Sequence, residues 1–183
     1  MSFASMLSGL VANKVRFVVV GGLAAAAHGS SRVTNDLDIC YDAFDSDNLV
    51  ALAKLLAHWK AYPRGVEAGL PFIMDERTLR GAPILTLTSS EGDIDVMDRI
   101  AGVGPYADVR KHSEKVTALG VRFSVLDLPS LIKAKRAAGR PRDFEHLPEL
   151  EALLALTKRH PSTLSHRHGF IFQLVLKYEF TLG

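Results

Sequence analysis

The spacing of apolar and polar residues along the chain predicts alternating helices and strands. Residues 15–20 are mostly β-branched or aromatic, which is typical of a buried strand. Residues 84–88 and 94–97 alternate between the two classes, and the intervening Ser-Ser-Glu-Gly favours a hairpin. The predicted strands are 15–20, 37–41, 84–88, 94–97, 116–119 and 121–126, and the predicted helices are 2–12, 23–28, 45 or 46 to 60, 106–113, 129–138 and 143–160.

This order of elements predicts an α/β (α+β) protein with a mixed β-sheet flanked by helices and a small helical C-terminal part. Strands give way to helices near residue 127, so we expect a core over 1–127, a helical part over 128–160 and a tail over 161–183. Apolar residues alternate in the tail and predict a strand with one apolar face. As an unpaired edge, such a strand favours association, so we expect it to pair within the domain or to form a homo-oligomer. The alternating residues are Phe170, Phe172, Leu174, Leu176, Tyr178 and Phe180.

Composition and charge favour a soluble cytoplasmic protein. The 183 residues carry a formal net charge of only +2, so overall charge does not argue for nucleic-acid binding. The single cysteine, Cys40, excludes an intrachain disulfide and suits a reducing compartment. The apolar run 17–27 follows two basic residues but is interrupted by glycines, which argues against a secretory signal. It is also too short to cross a membrane as a helix, which needs roughly 20 residues.

Two carboxylates on one predicted strand point to a metal site. Alternate side chains of a strand face the same way, so Asp36 and Asp38 share a face while Leu37 and Ile39 enter the core. Such a pair is relieved by a shared proton or a divalent cation, and Mg²⁺ prefers carboxylate and phosphate oxygens. The alternative is a pair of solvated aspartates at the start of a strand, because a short motif alone has a high false-positive risk.

The glycine pair upstream favours the metal interpretation. Gly21 and Gly22 follow a strand and open a helix, where free N–H groups and the helix dipole suit a phosphate. Gly22 lies fourteen residues before Asp36, and a phosphate site with a carboxylate pair suits a nucleoside triphosphate bridged by Mg²⁺. The sequence here lacks the Gly-Lys-Ser/Thr of a Walker loop, the G-x-G-x-x-G of a dinucleotide site and the ligand spacing of an EF-hand.

Two blocks resemble the DNA polymerase beta-like nucleotidyltransferase superfamily, and more narrowly its abortive-infection (AbiEii-type) and related minimal members. They read GGLAAAAHGSSRVTNDLDI and KAKRAAGRPRDFEHLPEL, about a hundred residues apart, within a resemblance that covers roughly residues 15–155. The resemblance implies a nucleotidyltransferase fold. It also implies transfer of a nucleoside monophosphate from a nucleoside triphosphate to a hydroxyl of RNA, such as tRNA, or of protein. A toxin–antitoxin partner is a further implication.

The resemblance assigns the metal-binding and catalytic residues. Asp36 and Asp38 match the metal-binding pair, and Asp95 matches the third carboxylate, which acts as a base or metal ligand. The cofactor implied is Mg²⁺, with Mn²⁺ left open, because two-metal chemistry activates the attacking hydroxyl and stabilises the leaving pyrophosphate. Asp93 shares the strand face of Asp95, but we interpret it as a turn residue after Gly92.

The resemblance also assigns nucleotide-binding residues near the glycine pair. Gly21 and Gly22 match positions that contact the triphosphate, although many members have serine second. The missing hydroxyl leaves Ser30 or Ser31 as substitutes. Arg32 lies in the loop before the aspartates, where a cation is able to reach phosphate.

The second block supplies further phosphate-binding candidates, with five cations and no acid between residues 132 and 142. Lys135 and Arg140 match basic positions of the family and are expected to hold triphosphate or RNA phosphate. Asp143 either orients Arg140 or caps the last helix. Lys133 and Arg136 suit the solvated C-terminal end of a helix.

Two functions from other classes stay open. The first is a catalytically inactive nucleotide-binding interaction module, such as an antitoxin-like partner, which is consistent with the missing serine. The second is a structural role, in which the apolar tail drives oligomerisation and the site is vestigial.

Overall fold

The computed structural model describes residues 3–67, 69–118 and 120–159, so the strand predicted in the tail lies outside the described residues. The described helices are α1 Phe3–Ala12, α2 Gly21–Ala27, α3 Ser46–His58, α4 Glu76–Gly81, α5 Tyr106–Lys111, α6 Leu128–Ala138 and α7 Pro141–Arg159. The described strands are β1 Phe17–Val19, β2 Asp36–Tyr41, β3 Tyr62–Pro63, β4 Ile84–Thr88, β5 Asp93–Met97, β6 Arg99–Ile100, β7 Gly104–Pro105, β8 Ser113–Ala118 and β9 Val121–Leu126.

Seven of these strands form one mixed sheet in the order β3-β4-β5-β2-β1-β9-β8. Two pairs of neighbours, β2 with β5 and β1 with β9, run parallel, and the other neighbours in the sheet are antiparallel. The parallel pairing places Asp36 opposite Asp93 and Asp38 opposite Asp95. The predicted mixed sheet with flanking helices is therefore confirmed, and so are the hairpins β4–β5 and β8–β9.

Within the described residues, one hydrophobic cluster joins the sheet to the helices on both sides of the predicted boundary at residue 127. Leu37 and Ile39 of the central strand β2 have no exposed surface. Leu131 of α6 and Leu150 of α7 belong to the same cluster. The C-terminal helices are thus packed on the core that positions β2, while the division at residue 127 stays a prediction.

Local capping explains where several helices begin and end. The Asp45 carboxylate accepts a hydrogen bond from the Asn48 N–H at the start of α3, as the sequence predicted. Asp127 caps α6 in the same way, and Gly139 ends that helix in the left-handed conformation with φ 66°. The last helix begins at Pro141 rather than at the predicted residue 143, because proline suits the first helical position.

The segment between α3 and β4 was not predicted in detail. It contains the two-residue strand β3 and the short helix α4, where the sequence predicted only a loop over 63–71. Pairing with β4, more than twenty residues later, creates β3, so no local pattern announces it. Asp75 caps α4 by accepting from the Thr78 N–H. Other boundaries were also misplaced: β1 is shorter than residues 15–20, α2 begins at Gly21 rather than at residue 23, and β8 begins at Ser113 rather than at residue 116.

None of the helices in the described part of the chain combines the length and apolar character needed to cross a membrane.

The strand that carries the aspartate pair depends on buried side chains on its other face. We expect Leu37→Ala to lower the free energy of unfolding by about 2–5 kcal/mol, because it leaves a cavity in the core. Phe44→Ala is the control, since Phe44 is 82% exposed and its truncation should change stability by less than about 0.5 kcal/mol. Urea unfolding of both variants measures the difference, and equal losses would contradict the assigned burial.

Candidate metal centre and its cleft

Three carboxylates meet where β2 and β5 lie side by side. Asp36 and Asp38 come from β2 and Asp95 from β5, and one oxygen of each lies within 4.8 Å of the others. The strand alternation puts the first two on one face, and the parallel register adds Asp95 to it. A spacing of this kind suits a hard divalent cation that takes oxygen ligands.

Arg64 lies against the same cluster from the other side. It follows β3, and its guanidinium Nη2 donates to Oδ1 of Asp95 at 2.6 Å. Its Nε lies 3.5 Å from Oδ2 of Asp93, and its Nη1 lies 3.7 Å from Oδ2 of Asp36. Asp93 is therefore a strand residue paired with a cation, rather than the turn residue that the sequence suggested. The sequence analysis missed Arg64, because a Pro-Arg-Gly segment in a loop carries no recognisable motif.

Burial and neighbouring charges raise the pKa of two carboxyl groups in the cluster, those of Asp38 and Asp95. Burial, followed by the nearby charges of Asp36 and Asp95, raises the pKa of Asp38 to about 7, although the Gly22 N–H and Lys135 oppose the shift. Burial also raises the pKa of Asp95, against the opposing effect of Arg64. Carboxylates that are too crowded to ionise together are the kind that a divalent cation stabilises, so the donor set fits a metal ion.

Both glycines before the cluster are required by close contacts. Gly21 has φ +60°, and a Cβ atom there would overlap the Asp38 carboxylate. A Cβ atom at Gly22 would overlap the Thr34 hydroxyl, which donates to Oδ1 of Asp36 at 3.0 Å. The backbone of this turn also contacts the cluster, since the Gly22 N–H donates to Oδ2 of Asp38 at 3.4 Å. The hydroxyl nearest to this position therefore belongs to Thr34, in the loop before the aspartates.

A cleft of about 280 Å³ opens beside the cluster and brings most of the predicted residues together. Asp36 and Asp38 face it, whereas Asp95 and Ser31 are not among the described residues that line it. Arg142, one of the five cations of the second block, also lines it, and so does Arg99, which the sequence analysis left out. The predicted residues in its wall are Gly21, Gly22, Arg32, Asp36, Asp38, Lys135 and Arg140.

Asp143 holds two of the cleft cations. Lys135 Nζ lies 3.0 Å from its Oδ1, and Arg140 Nε lies 3.6 Å from its Oδ2. Asp143 is buried in the first turn of α7, two residues after the helix begins. The sequence offered orientation of Arg140 or a capping role, and the ion pairs with both cations match the first.

The loop between α2 and β2 is attached to α7 by polar contacts. The buried Ser30 hydroxyl lies 2.8 Å from Nε2 of His146, so it is already engaged in a hydrogen bond. The Ser31 N–H and hydroxyl both donate to Glu149, and Arg32 donates to the Glu145 carbonyl at 2.8 Å. The last helix thus fixes the loop that leads into β2. Sequence reasoning missed this role of α7, since its partners lie more than a hundred residues apart.

Comparison with known proteins supports the fold. No protein-family model matches the chain, and neither does any curated protein. The chain is similar to a solved structure of a candidate nucleotidyltransferase from Thermotoga maritima (TM1012), with 18% sequence identity and a TM-score of 0.50. The match covers 81% of this chain and 94% of that chain. The chain therefore has a nucleotidyltransferase-like fold, while membership of the AbiEii-type branch stays a prediction.

Gly21→Ala should destabilise the protein by more than the strain of an alanine at positive φ, because its Cβ atom also displaces Asp38. We expect it to lower the free energy of unfolding by at least about 1 kcal/mol more than Gly139→Ala. Both positions have positive φ, but nothing lies within 4 Å of a Cβ atom at Gly139, whereas Asp38 must move in the first variant. Denaturant unfolding of the two proteins provides the measurement, and equal losses would argue against the close contact.

The raised pKa of Asp38 should make stability depend on pH in the metal-free protein. The folded state keeps this proton up to about pH 7, whereas the unfolded chain releases it near the ordinary aspartate pKa of 3.8. The resulting stabilisation is complete below the unfolded pKa and is lost as the pH rises through the folded pKa. An asparagine at this position does not titrate, so Asp38→Asn should not lose this stabilisation. In EDTA, the melting temperature of the variant minus that of wild type should therefore rise by several degrees from about pH 4 to about pH 8.

Asp108→Asn serves as the control for this pH series, because Asp108 is an exposed aspartate on α5. Its melting temperature should follow that of wild type across the same range. If Asp38→Asn also runs parallel to wild type, Asp38 is ionised throughout and the assigned shift is wrong.

Proposed function

We propose that the protein is a metal-dependent nucleotidyltransferase, which moves a nucleoside monophosphate from a nucleoside triphosphate to an acceptor hydroxyl and releases pyrophosphate. The observation that carries this proposal is the meeting of Asp36, Asp38 and Asp95 in one cluster beside a cleft lined by glycines and cations. The nucleotidyltransferase-like fold supports it, and so do the two sequence blocks.

The three carboxylates are the residues that would hold the metal. Mg²⁺ is the ion proposed, with Mn²⁺ as the alternative, because both accept carboxylate and phosphate oxygens. A bound ion would neutralise phosphate charge and lower the pKa of the attacking hydroxyl. Asp95 is the proposed proton acceptor, since its pKa is raised and it lies deeper than Asp36.

The cleft supplies the proposed triphosphate site. Gly21 and Gly22 have no side chains, so a phosphate is able to approach the backbone at the start of α2. Lys135 and Arg140 face the same space and would pair with phosphate oxygens, while Asp143 keeps both in place. Ser31 and Arg32 complete the proposed set, although the Ser31 hydroxyl donates to Glu149.

The charge around the cleft favours RNA over protein as the acceptor. Arg32, Arg99 and Arg142 line it in addition to the two cations proposed for the triphosphate. Such a concentration of arginine suits a phosphate backbone, even though the net charge of the chain is only +2. A tRNA-like acceptor, a toxin–antitoxin setting and a cytoplasmic location belong to the same proposal through the family resemblance.

Labelling with each α-³²P nucleoside triphosphate tests the function directly. The full chain is incubated with Mg²⁺, total RNA and cell extract, beside Asp36→Asn/Asp38→Asn and the control Asp108→Asn. We expect label on RNA with wild type and with the control. The double variant should lose at least about a hundredfold in rate, because it loses two metal ligands.

The other outcomes distinguish the rival functions. Label on protein would keep the transferase and change the acceptor. Metal-dependent nucleotide binding without transfer, lost in the double variant, would favour an antitoxin-like binding module. If the protein shows no nucleotide binding and no transfer, the proposal is contradicted, and the chain has a nucleotidyltransferase-like fold without this chemistry.

A further inference from the structure

Arg64 lies against one side of the carboxylate cluster, where it pairs with carboxylates that include two of the proposed metal ligands. Its guanidinium lies within 4 Å of carboxylate oxygens from Asp36, Asp93 and Asp95. It reaches them from outside the two strands that carry the aspartates, held by the Arg64 N–H bond to the Thr86 carbonyl at 2.9 Å. The guanidinium therefore provides the positive charge for this side of the cluster.

Arg64 forms ion pairs with three carboxylates but a hydrogen bond with only one of them. Only its contact with Asp95 is a hydrogen bond to a carboxylate, and the other two are ion pairs at 3.5 and 3.7 Å. The Nε atom is buried, and within the described residues it has no hydrogen-bond partner. A buried donor without an acceptor is unfavourable. The guanidinium is therefore held through Nη2, which donates to Asp95 and also to the Leu87 carbonyl at 3.3 Å, while its Nε stays unsatisfied.

One side of the cluster faces the cleft, and the other side contacts Arg64. Asp36 and Asp38 line the cleft, and no ion pair joins Arg64 to Asp38 among the described side chains. The Asp95 oxygen that accepts from Arg64 is taken up by that hydrogen bond at 2.6 Å. A divalent cation bound to the same oxygen would meet a like charge at close range, and the two compete.

We propose that Arg64 acts as a built-in counter-ion on the Asp95 side of the cluster, so that the free protein binds one divalent cation, between Asp36 and Asp38. A second cation then binds only when the guanidinium is displaced. Arg64 is thus a positioning residue that sets the number and order of metal ions. The inference rests on the metal-binding part of the proposed function and needs neither a nucleotide nor an acceptor.

Titration with Mn²⁺ alone tests this inference on the full chain. Calorimetry gives affinities, and electron paramagnetic resonance of free Mn²⁺ gives the number of ions bound. We expect one ion per wild-type chain and two per Arg64→Met chain. The second ion should bind the variant about tenfold or more tightly than it binds wild type, because a charged hydrogen bond no longer opposes it.

Arg99→Met controls for the loss of one positive charge near the cleft. Arg99 also lines the cleft, but it pairs with Asp98 and not with the three carboxylates. We expect its first and second affinities to stay within about threefold of wild type. If Arg99→Met matches Arg64→Met, general charge explains the result and the inference fails.

Aspartate variants keep the inference testable even if Arg64→Met does not fold. Where Arg64 is retained, Asp95→Asn should bind the first Mn²⁺ within about threefold of wild type, and Asp38→Asn should bind it at least about tenfold more weakly. Equal weakening in the two variants would overturn the inference, because Asp95 would then belong to the first metal site.

The remaining outcomes separate this inference from the proposed function. Two ions of similar affinity in wild type, or identical binding by wild type and Arg64→Met, would overturn the role of Arg64 and leave the transferase proposal intact. No Mn²⁺ binding by any folded variant would overturn both.

Discussion

Electrostatic repulsion among the aspartates of β2 and β5 is the constraint on which the rest of the site depends. The parallel register forces Asp38 against Asp95 and Asp36 against Asp93, whatever their charges prefer. Burial of apolar side chains on the same strands holds that register, since Leu37, Ile39 and Ile94 have no exposed surface. The hydrophobic core thus maintains a concentration of negative charge that would otherwise disperse.

Cations from distant parts of the chain compensate this charge unequally. Arg64 pairs with Asp93 and Asp95 and, at the longer distance of 3.7 Å, with Asp36. Lys135 opposes the raised pKa of Asp38 without cancelling it. The result is a cluster with one neutralised side and one side that faces the cleft with a proton or a metal ion as its natural partner. This asymmetry follows from where β3 and α6 are packed on the sheet.

The last helix connects the metal centre to the proposed phosphate site. Asp143 on α7 pairs with Lys135 and Arg140, and one turn later His146 contacts the buried Ser30. Burial, followed by the charges of Lys135 and Arg32, lowers the pKa of His146 and favours its neutral form. A neutral ring suits a site already rich in cations, so His146 contacts the loop before β2 without adding positive charge.

The sequence by itself determined what depends on neighbours along the chain. Strand alternation placed Asp36 and Asp38 on one face, and capping chemistry narrowed the start of α3 to Asp45 or Ser46. Only the tertiary structure brought the distant Arg64 to the cluster and joined α7 to the loop before β2. The physical reason is that local patterns report backbone periodicity and exposure, whereas ion pairs form wherever packing of the whole sheet brings opposite charges within a few ångströms.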